Sequence, residues 1–549
     1  MTEIRRTALW VVFTLSLLML WDAWQKHNGQ PSLFSPAPAA SVAAASAPAS
    51  GAALPSAAAL PTPAGQAALP AAATAPKTAS VQIETDLVKA TLDTLGGSMT
   101  RVELRQHKDA ADPSGHVVVL TPTRSYRAET GLVGVPGAPN HLSVMTLVDG
   151  PRTLQEGQDT LTLRFESPEQ AGLKLAKTYE FRRGSYVVNV KHEVQNVGAT
   201  ALTAQLYKQL VRDGHTDPTS MFMAPASFTG PAVYTEQAKF QKVDFESIRK
   251  GKAEYAKQAQ DGWVAMVQHY FVSAWLHTGV GAREFYVKQV QDNLYSVGSV
   301  ASLPQIAPGA TVSASDQLYV GPQEEKKLAA LAPGLELVKD YGWFTVLSKP
   351  LFWLLDALHG VLGNWGWAII ALVVLLKIAF YWLNASAYRS MAKMKAVNPR
   401  IMELRERLKD KPQQLQQEMM RIYREEKVNP LGSCLPILLQ MPFFIALYWV
   451  LLSSVEMRHA PWVWWITDLS AKDPFFVLPL LMTASSLLQV WLNPTPPDPM
   501  QAKMMWIMPL LFSVFFFFFP AGLVLYWLVN NLLSIAQQWM INKQMGVQN

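Results

Sequence analysis

Lys377 is the residue whose chemistry stands out. It lies inside an otherwise apolar stretch, residues 365–383, long enough to cross a bilayer. An ammonium at that depth is costly, and such groups face a cavity, a partner or a pathway. A carboxylate in a neighbouring apolar segment would neutralise it, yet none of those segments carries Asp or Glu in its core. The pattern implies water at membrane depth, or an acidic group that comes and goes. A second reading stays open: Lys377 precedes Asn384 by seven residues, about 10 Å along a helix, so its amine could snorkel to the inner headgroups. On a helix, Ile370, Val373, Val374, Phe380 and Tyr381 share its face and would line the same wall. Gln440, Gln489, Asn530, Asn531, Ser534 and Gln537 are the other polar groups in or near apolar segments, and read as hydrogen-bonding glue between helices.

Signatures of catalysis are missing. There is no Walker-type phosphate loop. His107, His116, His141, His192, His215, His269 and His277 are scattered without metal-ligand spacing. The single cysteine, Cys434, rules out an intramolecular disulfide and reads as a small buried residue. No cofactor, metal or small-molecule substrate is expected.

The elements around Lys377 follow from composition. Half of the 549 residues are hydrophobic, too many for an ordinary soluble chain and too few for an all-membrane one. Residues 1–24 carry Arg5 and Arg6 before an apolar run, with Trp21 and Trp24 where a signal peptidase would need small residues, and read as an uncleaved anchor. Residues 25–80 are a linker; its 31–80 part holds 21 Ala, 9 Pro and one charge, Lys77, a composition that cannot build a core. Residues 81–325 alternate apolar and polar with Gly and Pro turns, which predicts an antiparallel β-sandwich or barrel. Residues 340–363 suit an amphipathic interfacial helix. Spans are predicted at 364–384, 431–455, 475–492, 504–519 and 522–541, six with the anchor. Loops at 456–474 and 493–503 and a tail at 542–549 complete the chain. The 504–519 span, about 24 Å as a helix, is short for a hydrocarbon core of about 30 Å, which hints at a locally thinned bilayer.

Residues 385–430 hold 11 Lys+Arg against 6 Asp+Glu, whereas residues 25–350 are balanced at 29 against 28. The basic excess beside a span marks the cytoplasmic side, so the β domain lies outside and both termini inside. Within 385–430, Ile401, Leu404 and Leu408 form one apolar stripe and Leu415, Met419 and Ile422 another, which predicts a helical hairpin. Asn398-Pro399 and Asn429-Pro430 read as break or start signals at its ends. Its basic residues Arg389, Lys393, Lys395, Arg400, Arg405, Arg407, Arg421 and Arg424 suit either anionic lipid or a docking surface for ribosomal RNA or a targeting factor.

Several motifs then point one way: Gly262-Trp-Val-Ala-Met, Asp340-Tyr-Gly-Trp, Gly363-Asn-Trp-Gly, Ser390-Met-Ala-Lys-Met, Gln417-Glu-Met-Met, Glu426-Lys-Val-Asn-Pro-Leu-Gly, Gln440-Met-Pro, Asp498-Pro-Met-Gln and Phe519-Pro-Ala-Gly-Leu-Val-Leu-Tyr-Trp. In these the chain resembles the YidC/Oxa/Albino membrane protein insertases, in the Gram-negative form with a large periplasmic domain. The resemblance implies a five-helix core around a hydrophilic groove open to cytoplasm and lipid, with Lys377, Gln440, Met441, Phe444, Tyr526 and Trp527 at its groove positions. It implies nascent membrane proteins as substrates, delivery at the cytoplasmic hairpin, and a mutarotase-like β-sandwich that contacts Sec components and is no enzyme. The inner membrane is the implied location. Two departures stand out: Lys377 replaces the usual Arg, and Trp527 replaces a second Tyr. A desolvated lysine can lose its proton, as arginine does not. The rival readings are an ion-coupled transporter, which would need intramembrane acids or inverted repeats, and a membrane-anchored sugar-active enzyme.

Overall fold

The computed structural model describes residues 78–109, 112, 114–216, 227–277, 279, 281–408, 411–426, 435–493 and 499–546. The expected anchor, residues 25–77 of the expected linker, Cys434 and Asn429-Pro430 fall outside these, and Ser80, counted with the linker, already belongs to a strand.

Period-two patterning becomes two nine-stranded sheets whose named strands pair antiparallel. In strand Val187–Asn196 the inward residues Val188, Val190, His192, Val194 and Asn196 are buried in strict alternation. One sheet is centred on Arg127–Val133, Gln205–Asp213 and Leu294–Ser302. The other runs through Phe271–His277, Thr311–Pro322, Val187–Asn196 and Leu173–Arg182. Their inner faces share one apolar core that includes Trp263, Trp275 and Phe165.

The helical part comprises α1 (Thr345–Leu362), α2 (Trp365–Ala379), α3 (Tyr381–Arg407), α4 (Pro412–Glu425), α5 (Leu435–Ser453), α6 (Val477–Leu492), α7 (Pro499–Phe516) and α8 (Ala521–Gln544). Helix α8 is the hub and packs against α2, α3, α5 and α6. Its first N–H groups are satisfied from outside the helix: Ala521 and Gly522 donate to the carbonyls of Ala471 and Leu469 at 2.7 and 2.9 Å. Asp473 caps α6 by accepting from Leu478 N at 2.7 Å and also takes the Trp465 indole N–H at 3.1 Å. At the head of α2, Asn364 accepts from Trp367 N and donates to Pro461 O at 3.0 Å. Gly366 lets the Trp462 ring come close; a Cβ there would sit 2.2 Å from it.

The span predicted at 364–384 is not one straight helix. It breaks at Phe380 (φ −97°, ψ 13°), where α2 and α3 meet at 69°. No Pro or Gly sits at the break. Beside it the Gln537 side chain of α8 donates to the Tyr381 carbonyl at 3.3 Å. Nor does Asn398-Pro399 end a helix: α3 runs through Pro399. Packing outweighs the lost hydrogen bond there, because Val397, Ile401 and Leu404 share a small core with Ile422 of α4. Both predicted hairpin stripes meet in that core. Helix α7 starts five residues before the segment predicted at 504–519, at Pro499, and ends at Phe516. Among the described residues no single helix is both long and apolar enough to cross a membrane; the bent α2–α3 pair meets that standard together. In α8 the polar residues Asn530, Asn531, Ser534 and Gln537 lower the hydropathy.

The β domain and the helices meet at a polar junction. Lys339, fully buried, pairs with Glu456 at 2.9 Å and lies 3.7 Å from the Phe352 ring centroid. His269 reaches the Leu452 carbonyl at 2.8 Å, and Lys242 pairs with Asp340 at 2.6 Å.

Candidate functional site: a groove in the helical core

The helices enclose a groove of about 510 Å³. Lys377, Gln440, Met441, Phe444, Tyr526 and Trp527, the six groove positions expected from sequence, all line it. One wall is polar. Lys377 Nζ donates to Ser534 Oγ at 2.7 Å, and Ser534 Oγ donates to the Asn530 carbonyl at 2.7 Å. Gln440 Nε2 donates to Tyr526 Oη and Asn530 Oδ1, each at 3.0 Å. Tyr526, Asn530 and Ser534 stand four residues apart on α8, so they form one stripe along it. The opposite wall is apolar and soft: Met441, Met505, Met508, Phe512, Phe516 and Trp527. Phe444 meets Trp527 edge-on at 4.3 Å. Methionine adapts its shape to varied partners, and aromatic rings supply area.

Not all of the expected wall assembles. Val373 and Phe380 line a recess of about 20 Å³ beside Lys377. Ile370 packs into the helical core instead, and Val374 and Tyr381 are exposed. The bend at Phe380 carries Tyr381 off the face that a straight helix would have given it. Asn384, Tyr388, Met482 and Ser486 also line the groove and were not anticipated. Asn384 and Tyr388 come from the far side of the bend, where sequence spacing is a poor guide. Met482 and Ser486 come from α6, whose spacing of four is the one signal that could have found them. Asn531 does act as glue, donating to Ser486 Oγ at 3.2 Å, and Gln538 donates to Asn493 Oδ1 at 2.9 Å.

Arg389, Lys393, Lys395, Arg400, Arg405 and Arg407 all lie on α3. Arg400 pairs with Glu426 at 3.3 Å, so the hairpin uses part of its charge internally. Arg389, Lys393 and Arg407 are exposed.

A groove with one polar and one apolar wall accommodates a segment that is itself part polar and part apolar. The family model described as the YidC periplasmic domain matches residues 80–354, and that described as the 60Kd inner membrane protein matches residues 357–548. These two matches, which together run through the β domain and the helices that hold the groove, place the chain in the class of membrane protein insertases. The chain is 54% identical to the membrane protein insertase YidC of Cupriavidus necator, over 99% of this chain and 98% of that one. It is 51% identical to the same protein of Janthinobacterium sp. (strain Marseille), over the full length of both. Among solved structures, an active YidC insertase with its first transmembrane domain resolved covers 83% of this chain and 91% of its own, at 17% identity and a TM-score of 0.41. The chain belongs to the YidC family of membrane protein insertases.

Proposed function

We propose that insertion works through the groove by physical rather than covalent means, with Lys377 as the transient counter-charge of the client. One observation carries this reading: Lys377 faces a polar groove and has a hydroxyl, not a carboxylate, as its partner among the described residues. A nascent membrane protein must move a polar or acidic flank through hydrocarbon. A hydrated groove part-way across the bilayer lowers that desolvation cost. The apolar part of the client rests on the methionine and aromatic wall, then passes into lipid, where burying about 20 apolar residues favours release.

In this reading six spans place the β domain in the periplasm and both termini in the cytoplasm. The basic hairpin receives ribosomes or targeting factors, and the β domain meets Sec components. Photo-crosslinkers at Met441 and Tyr526 should capture a ribosome-stalled membrane protein, and failure of both sites would sink the groove route. Deleting most of residues 81–320 should spare much of the insertion activity, whereas a sugar-active enzyme would lose its function.

A further inference from the structure

We infer that Ser534 is a positioning residue: its hydroxyl fixes where the Lys377 charge sits in the groove, and thereby how far clients with acidic translocated flanks are favoured. The inference rests on the groove reading above.

Ser534 is almost wholly buried, at 4% exposure. A hydroxyl offers one donor and two acceptor sites. Here the donor and one acceptor site are used. Ser534 donates to the Asn530 carbonyl at 2.7 Å and accepts from Lys377 at 2.7 Å. Its orientation is therefore set by α8 itself, through the bond to Asn530, and not by rotation in a loose site. The tether matters because Lys377 lies two residues from the end of α2, and a flexible four-carbon stem would otherwise carry the ammonium toward the headgroups. Held across to α8, the ammonium stays on the polar stripe of Tyr526, Asn530 and Ser534. An ammonium has three donors, and Ser534 takes one, which leaves two for water or a client carboxylate. Serine is also too weak a partner to compete with that carboxylate, because a neutral acceptor binds an ammonium less strongly than an ionised one. The same hydroxyl can hold the charge in place and still release it to the client.

The test uses the full chain in proteoliposomes and two clients that differ only in the translocated flank, one bearing Asp and Glu, the other Asn and Gln. Ser534→Ala should slow insertion of the acidic client on the order of tenfold, the scale of one hydrogen bond to a charged group, and leave the neutral client within about twofold. Ser534→Thr, which keeps the hydroxyl, should restore the acidic client to near wild-type rate. In a Lys377→Gln background, Ser534→Ala should add nothing. Equal losses for both clients, an additive loss in the Lys377→Gln background, or no loss at all would overturn the inference. If Lys377→Gln itself shows no preference against the acidic client, the groove reading falls. If it does and Ser534→Ala does not, only the positioning role falls.

Discussion

Lys208 in the β-sandwich and Lys377 in the helical core are both ammonium groups withdrawn from bulk water, and their surroundings could hardly differ more. Lys208 meets Asp316 at 2.6 Å, and His277 shares that carboxylate at 3.1 Å. Burial alone would raise the Asp316 carboxyl; the adjacent Lys208 charge and the His277 hydrogen bond hold it well below the usual carboxylate range. Nearby, Lys177 donates to the carbonyls of Gly96 and Thr130 at 2.6 and 2.7 Å, and burial lowers its pKa to about 7. Lys339 is gripped by Glu456 at the junction. Among the described residues Lys377 has the Ser534 hydroxyl as its partner, beside a groove of about 510 Å³. The β domain meets Lys208 with a carboxylate and Lys177 with two carbonyls of its own, which suits a rigid body. The helical core leaves a charge to be satisfied by something that passes through.

The comparison breaks most sharply at Lys377 itself. Lys377→Glu should abolish insertion of clients with acidic translocated segments, because attraction becomes repulsion, while Lys377→Arg should be tolerated. Growth of a strain with no other insertase reads this out, and normal growth of the Glu variant would end the counter-charge account.

In the β domain the matching change acts on stability instead. Asp316→Ala leaves Lys208 buried without its carboxylate and should destabilise that domain by about 3–5 kcal/mol. Denaturant unfolding of the full chain, followed by a β-domain tryptophan signal, measures it. A loss under about 1 kcal/mol would mean that the pair is not what holds Lys208.

A third experiment tests whether the β domain depends on buried neutral groups as well as pairs. Burial first, and the neighbouring Lys177 charge second, lower His192 from 6.5 to about 3. The native state thus refuses a proton that the unfolded chain accepts as pH falls below 6.5. Stability must then fall between pH 6.5 and about 3, by at most about 4–5 kcal/mol from this group. His192→Leu should flatten that slope whatever it does to stability at pH 7. An unchanged slope would remove His192 from the account.

The smallest effect is expected at Gln440. Its amide joins Tyr526 to Asn530, neutral partners at the wet edge of a groove where water can replace it. Gln440→Ala should slow insertion by about twofold to threefold, within the range of one ordinary hydrogen bond. A loss as large as that of Lys377→Glu would show that the polar wall, not the charge, dominates.

Much of this was legible in the residues. Alternation in Val187–Asn196 predicted the sheet because side-chain direction in a strand depends only on parity. The stripes Ile401–Leu404–Leu408 and Leu415–Met419–Ile422 predicted a hairpin because helical period places them on single faces. The Phe380 break was invisible for a physical reason. No Pro or Gly marks it locally, and the Gln537 side chain that meets the Tyr381 carbonyl beside it comes from more than 150 residues away. Asn384, Tyr388 and Tyr381 all lie beyond that bend, where the spacing of a straight helix no longer says which face a residue takes.

By itself the sequence determined an antiparallel β domain, the apolar helices, a basic hairpin and one lysine in an apolar stretch without an acid near it. Periodicity and composition are local properties, so they survive without a fold. The tertiary structure alone decided what Lys377 faces. The choice between snorkelling and a groove turns on where α8 lies and which hydroxyl it offers at 2.7 Å, and a contact across 157 residues has no local signature.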